Sequence, residues 1–200
     1  MDMQNISFPL NFKFNISTFA NDFVATDASG ATVAYVRQKM FKLKEDILIY
    51  NNENKTEVNY RIQADRWIDF SAAYSFKDKE GNELGKIARK GWRSIWKAQY
   101  ELIDQNQKLQ YHIREDNAWV KVFDSMFGEI PILGMFTGYF FNPSYSVIDL
   151  NNKAVVKLKK EGSFFGRKFS VSKLQEIDND DEYRILLGLM MMVLLERRKG

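Results

Sequence analysis

The sequence predicts a mainly β protein in which an antiparallel sheet closes, or nearly closes, into a barrel around an apolar C-terminal helix. Three features predict it: short alternating segments separated by turns, hairpins that resemble one another, and a final stretch, LLGLMMMVLLERRKG, whose apolar part has no polar face. The 200 residues are 45% hydrophobic and 14% aromatic with only 3 Pro, which suits one sizeable core and argues against disorder or low complexity. The expected organisation is an N-terminal segment or first strand over residues 1–22 and a single barrel domain over 23–200.

The first nineteen residues, MDMQNISFPLNFKFNISTF, place an Asp at position 2 and carry no basic start and no continuous apolar run, so they do not read as a secretory signal. The triplets Asn5–Ser7 and Asn15–Ser17 fit a glycosylation pattern that has meaning only in a secreted chain. With no Cys, disulfides, thiolate nucleophiles and thiolate metal sites are excluded, and a reducing, cytoplasmic setting is expected.

From about residue 23 the hydrophobic period is two. In FSAAYSF (70–76), Phe70, Ala72, Tyr74 and Phe76 share one face. YELID and LQYHIRED flank QNQK as one hairpin over residues 100–116, and YSVIDLNNKAVVKLKK (145–160) forms another turning at Asn151–Asn152. DASGATVAYVRQK (27–39), DKEGNELGKIARKGW (78–92) and DLNNKAVVKLKKEGS (149–163) share an Asp, a Gly- or Asn-containing turn, an apolar strand and trailing basic residues. Repeated hairpins with few helices favour closure, because closure removes exposed sheet edges.

The helix is expected over about 181–198. DNDDEY (178–183) puts acidic groups at its N-terminus, ERRKG (196–200) puts basic groups and a Gly at its C-terminus, and residues 185–195 are apolar apart from Gly188. A helix apolar on every side must be buried on every side. Eleven residues at about 1.5 Å each reach only about half of a ~30 Å hydrocarbon core, so a plug inside the barrel fits better than a transmembrane span.

QKMFKLKEDILIY (38–50), the long run ADRWIDFSAAYSFKDKEGNELGKIARKGWRSIWKAQYELID (64–104), FFNPSYSVID (140–149) and the acidic-then-apolar C-terminus resemble the LURP-one-related branch of the tubby-like superfamily, which also contains phospholipid scramblases. The resemblance covers most of the chain from about residue 23 and is most specific at RKGWRSIWKAQYEL. It implies about twelve antiparallel strands around the central helix. It points to lipid head groups without implying a reaction: tubby domains bind phosphoinositides through a basic patch, and scramblases are linked to calcium-dependent lipid movement.

The densest basic stretch is Lys86, Arg89, Lys90, Arg93 and Lys97, interleaved with Trp92 and Trp96. Cations near indoles can hold phosphate oxygens at a membrane interface. The competing reading is a solvated strand face with Trp in the core, and alternation separates Lys86 and Lys90 from Arg89. Lys157, Lys159, Lys160, Arg167 and Lys168 occupy the matching part of the later repeat and join the first set if the repeats lie side by side. Nucleic acid backbone is the weaker partner, since the net charge is only +3.

Other candidates are thinner. The acidic run Glu176, Asp178, Asp180, Asp181 and Glu182 offers carboxylates to a cation, with Asp178, Asp180 and Glu182 as the candidate ligands; helix capping explains the same run. An EF-hand loop counted from Asp178 would need Gly and Glu where Tyr183 and Leu189 stand. His112, the sole histidine, alternates to the solvent side, and no G-x-S-x-G elbow accompanies it. Asp65 and Asp69 are an acid/base pair in composition only. IPILGMFTGYFFNP (130–143), with Gly134 and Gly138 between two prolines, reads as buried strand or covered loop, or else as an apolar contact for a protein partner.

The resulting expectation is a non-enzymatic barrel, without a cofactor, that binds anionic phospholipid head groups at the cytoplasmic membrane face through Lys86, Arg89, Lys90, Arg93 and Lys97, supported by Arg167 and Lys168. A structural or protein-interaction barrel using residues 130–143 is the alternative, and scramblase-like phospholipid movement the third.

Overall fold

A computed structural model describes residues 6–15, 21–39, 46–65, 73–89, 99–116, 144–162 and 168–197. Among them are twelve strands: β1 (Leu10–Phe14), β2 (Asp22–Thr26), β3 (Thr32–Gln38), β4 (Asp46–Tyr50), β5 (Val58–Ala64), β6 (Ala73–Asp78), β7 (Glu83–Arg89), β8 (Gln99–Asp104), β9 (Leu109–Glu115), β10 (Ser144–Asp149), β11 (Ala154–Glu161) and β12 (Lys168–Lys173). Each pairs antiparallel with its chain neighbours, and β1 pairs with β12 to close the barrel. The first strand therefore lies well before residue 23, within the segment expected to be a terminal extension or first strand.

The period-two pattern settles which face is which. On β1, Leu10, Phe12 and Phe14 are buried while Asn11 and Lys13 are exposed. The closing seam is aromatic inside: Phe23 lies 5.1 Å from both Phe12 and Phe14, and Phe14 lies 6.3 Å from Phe169. Such ring pairs add to the hydrophobic gain of burial and join the two ends of the sheet.

One turn design recurs at one end of the barrel, hereafter the turn end. Asp27 accepts backbone N–H bonds from Ser29 at 2.9 Å and Ala31 at 3.0 Å. Asp149 accepts from Asn151 at 2.9 Å and Lys153 at 2.7 Å, and Asp78 from Asn82 at 2.8 Å. These are the three aligned repeats. Asp104 does the same with Asn106 and Lys108, both at 2.8 Å, so QNQK is a fourth copy. The residue three positions after each Asp has positive φ: Gly30, Gly81, Gln107 and Asn152. Asn52 begins a looser fifth copy, with positive φ at Lys55, whose N–H donates to the Asn52 carbonyl. Every one of these five hairpins also carries a register shift within the last three residues of its first strand, which adds twist to the wall.

Helix α1 (Asn179–Arg197) fills the barrel. Ile185, Leu186, Leu187 and the run Leu189 to Leu194 are wholly buried, so the plug expectation holds, and no helix among the described residues is long and apolar enough to cross a membrane. The helix starts at the turn end. There Arg184 bonds Asp181, the Gln105 side chain at 3.0 Å and the Leu84 carbonyl, while Tyr111 donates to Asp181 at 2.7 Å. Asp178 caps the helix by accepting the Asp180 N–H at 2.9 Å. Gly188 lets the helix approach the wall: a Cβ there would sit 2.8 Å from Leu102 Cδ2.

Several carboxylates ionise more readily folded than unfolded. Asp104 is lowered mainly by the Lys108 N–H, and Asp27 by the Ser29 hydroxyl. For Asp46, burial pushes the pKa up, but a two-pronged bond from Arg61, at 2.6 and 2.7 Å, with Lys39 beyond it, outweighs burial. Burial likewise opposes the lowering of Asp116, which Ser146, Ser144 and Lys157 outweigh. A depressed folded pKa gives stability that is present above the unfolded value of about 3.9 and is lost as pH falls through the folded value. The melting temperature is therefore expected to be flat with respect to these groups from about pH 5 to 7 and to fall steeply below about pH 4. A melting temperature constant down to about pH 2.5 would contradict this.

Candidate basic surface on the barrel wall

The outer wall from β9 through β10, β11 and β12 to β1 carries the clearest charged pattern among the described residues. In strand register, Arg114 lies opposite Ser146, Ser146 opposite Lys157, and Lys157 opposite Ser172. One step toward the other end, the loop end, Ser144 lies opposite Lys159, Lys159 opposite Ser170, and Ser170 opposite Asn11. A step further, Glu161 faces Lys168 and Lys168 faces Lys13. Five cations thus occupy four of these five strands, with β10 supplying serines between them, and all five are exposed. Neighbouring strands are about 4.8 Å apart, so the charges form a continuous field rather than scattered points.

Small polar residues sit between the cations because alternation sends the apolar partners inward. Val156 and Leu158 flank Lys157, and Phe169 and Val171 lie inside on β12. Asp116 is the wall's main counter-charge at its β9 edge: it accepts from Ser144 at 2.9 Å and Ser146 at 2.7 Å and pairs with Lys157 at 3.3 Å. Arg114, Lys159, Lys168 and Lys13 form no ion pair among the described residues.

The residues expected from sequence are distributed unevenly. Lys86 lies outside on β7, opposite Ser75, and donates to the Gln107 side chain. Arg89 shares the inner parity of Gly85 and Ile87, lies opposite buried Tyr100, and has its Nε buried. The two belong to opposite faces, as alternation requires. Lys90, Trp92, Arg93, Trp96, Lys97 and Arg167 lie outside the described residues, as do Asp69 and the run 130–143. Lys168, Lys157 and Lys159 are on the wall, whereas Lys160 has the inner parity of Leu158. Strands β7 and β11 are separated by β8, β9 and β10, so the repeats are not side by side.

Lys13 and Arg114 were not singled out by sequence. Alternation marks each as outward, in LNFKF and in LQYHIRE, but only barrel closure brings residue 13 beside residue 168. His112 is outward as expected, 3.9 Å from Glu101. Of the acidic residues before the helix, Asp178 caps it, Glu182 pairs with Lys173 at 2.9 Å, and Asp181 is taken by Arg184 and Tyr111. Among the described residues, no three carboxylate or imidazole groups converge as a metal site.

A family model described as LURP-one-related matches residues 32–186, from the start of β3 into the second turn of α1. No curated protein and no solved structure matches the chain.

Proposed function

The chain belongs to the LURP-one-related family, part of the tubby-like superfamily, and on that footing we propose that it is a non-enzymatic module that binds anionic phospholipid head groups at the cytoplasmic face of a membrane. The observation that carries the reading is the row of Lys13, Arg114, Lys157, Lys159 and Lys168 on one continuous outer wall, spaced by serine and asparagine. Phosphate oxygens are recognised by ammonium and guanidinium donors, and each cation held near an anionic surface contributes about 1 kcal/mol. Lys86, on the outer side of β7, and Lys90, Arg93, Lys97 and Arg167 are retained as proposed head-group contacts on the strength of the sequence; Arg89 is the least suited of the set, since its position has the inner parity of β7.

Co-sedimentation with vesicles tests the reading. Binding is expected to anionic but not neutral vesicles and to weaken as salt rises. The double variant Arg114→Ala, Lys159→Ala should bind about thirtyfold more weakly, the equivalent of about 2 kcal/mol, with an unchanged melting temperature. Binding that ignores lipid charge would sink the proposal.

A further inference from the structure

The basic wall ends at a groove of different character. A cavity of about 600 Å³ lies along β1 and β2, lined by Lys13, Lys168, Glu53 and Glu161 together with the amides of Asn11 and Asn15. Its volume falls in the range of small-molecule sites and well exceeds what an inorganic phosphate fills. Lys13 and Lys168 are direct cross-strand partners, an arrangement in which like charges repel. Glu161 stands opposite Lys168 on the other side, and Glu53, from the β4–β5 turn, also lines the groove. No ion pair joins any of the four among the described residues.

The charge balance of the groove is what selects a ligand. Elsewhere the wall is net positive, but here two cations are matched by two carboxylates. A purely anionic head group would gain at the lysine pair and lose at the glutamates. A ligand carrying both an anionic phosphate and a cationic amine meets all four groups favourably: the phosphate bridges Lys13 and Lys168 and relieves their repulsion, while the ammonium faces a carboxylate. The asparagine amides supply donors and acceptors between them.

We propose that this groove is a seat for an amine-bearing phosphoester, such as the serine or ethanolamine head of a phospholipid or the corresponding free phosphoester. For its lipid source the proposal rests on the head-group reading above, but the groove's selectivity is a separate matter. Vesicles of phosphatidylcholine with equal fractions of phosphatidylserine or phosphatidylglycerol carry the same net charge; the serine head alone offers a primary ammonium with N–H donors, balanced by its own carboxylate, whereas choline's quaternary amine has no N–H to donate. The protein is expected to bind the serine vesicles about fivefold more tightly, the worth of one exposed ion pair. The variant Glu53→Gln, Glu161→Gln should lose that preference while binding glycerol vesicles at least as well.

Equal binding of both vesicle types by the unaltered protein overturns the groove proposal and leaves the basic-wall reading standing. Binding to neither vesicle type overturns the wall reading. Titration with glycerophosphoserine, followed by amide chemical shifts, then decides the groove alone. Saturation that is lost in Lys13→Ala, Lys168→Ala supports a seat for the free phosphoester, and failure to saturate overturns it.

Discussion

Replacing Leu189 with Asp is expected to abolish the cooperative thermal transition and leave an unfolded, aggregating chain. Leu189 is wholly buried in the middle of α1, and its neighbours Met190, Met191 and Met192 are buried too. A carboxylate there must be desolvated without a partner or be held protonated, and either costs several kcal/mol. The leucine's own burial and packing, about 2–5 kcal/mol, is lost as well. Together these approach the whole stability of a domain this size, about 5–15 kcal/mol. If the C-terminal segment were instead a membrane anchor, the same change would yield a folded protein released from membranes. A Leu189→Asp protein with an intact near-ultraviolet spectrum and unchanged melting would refute the plug.

Gly85→Ala is expected to be nearly as damaging, although it adds a single methyl group. Gly85 has φ of +133°, a region that side chains rarely enter, and a Cβ built there would fall inside contact distance of the Ile103 carbonyl oxygen. The Arg184 side chain closes the other side, with Cδ 3.0 Å away. Backbone cannot yield here without breaking the β7–β8 ladder, in which Gly85 pairs with Asp104. Backbone strain of about 1–3 kcal/mol combines with the steric shift to give an expected loss above about 3 kcal/mol. Gly81→Ala is the control. Its φ is +91° but nothing lies within 4 Å of a Cβ, so only the conformational cost of about 1–2 kcal/mol applies. Urea midpoints for the two variants compare the effects directly; equal losses would show that the crowding at Gly85 has no energetic weight.

Much of the architecture is legible from local patterns. Alternation in LNFKF, AYSF and LQYHIRE separates core from wall because a strand has period two whatever sheet it joins. The all-round apolar stretch of α1 demands burial, and its length argues against lipid. The hairpin repeat is visible at Asp27, Asp78 and Asp149, where Gly or Asn supplies the left-handed residue. It is harder to see at Asp104 and Asn52, where Gln107 and Lys55 take up positive φ instead. At Asp104 the carboxylate still organises the turn and only the left-handed residue is unusual, whereas the Asn52 turn rests on a backbone bond from the Lys55 N–H, for which residue identity leaves little trace.

The candidate surface was only half legible. Lys157, Lys159 and Lys168 form a dense run that composition reveals, yet density alone assigned equal weight to Lys160, whose parity turns it inward. Lys13 and Arg114 are single cations in their own segments. Their relation to Lys168 and to Lys157 follows from β1 pairing with β12 and β9 pairing with β10.

By itself, then, the sequence determined which residues face in, where the chain turns, and that one helix must be enclosed, because each of these follows from interactions within a few residues along the chain. The tertiary structure decided which distant strands are neighbours, and so which charges share a surface and where two lysines meet two glutamates around one groove. Strand pairing is made by backbone groups common to every residue, whereas the register that aligns Lys13 with Lys168 is selected by closure of the whole barrel around α1.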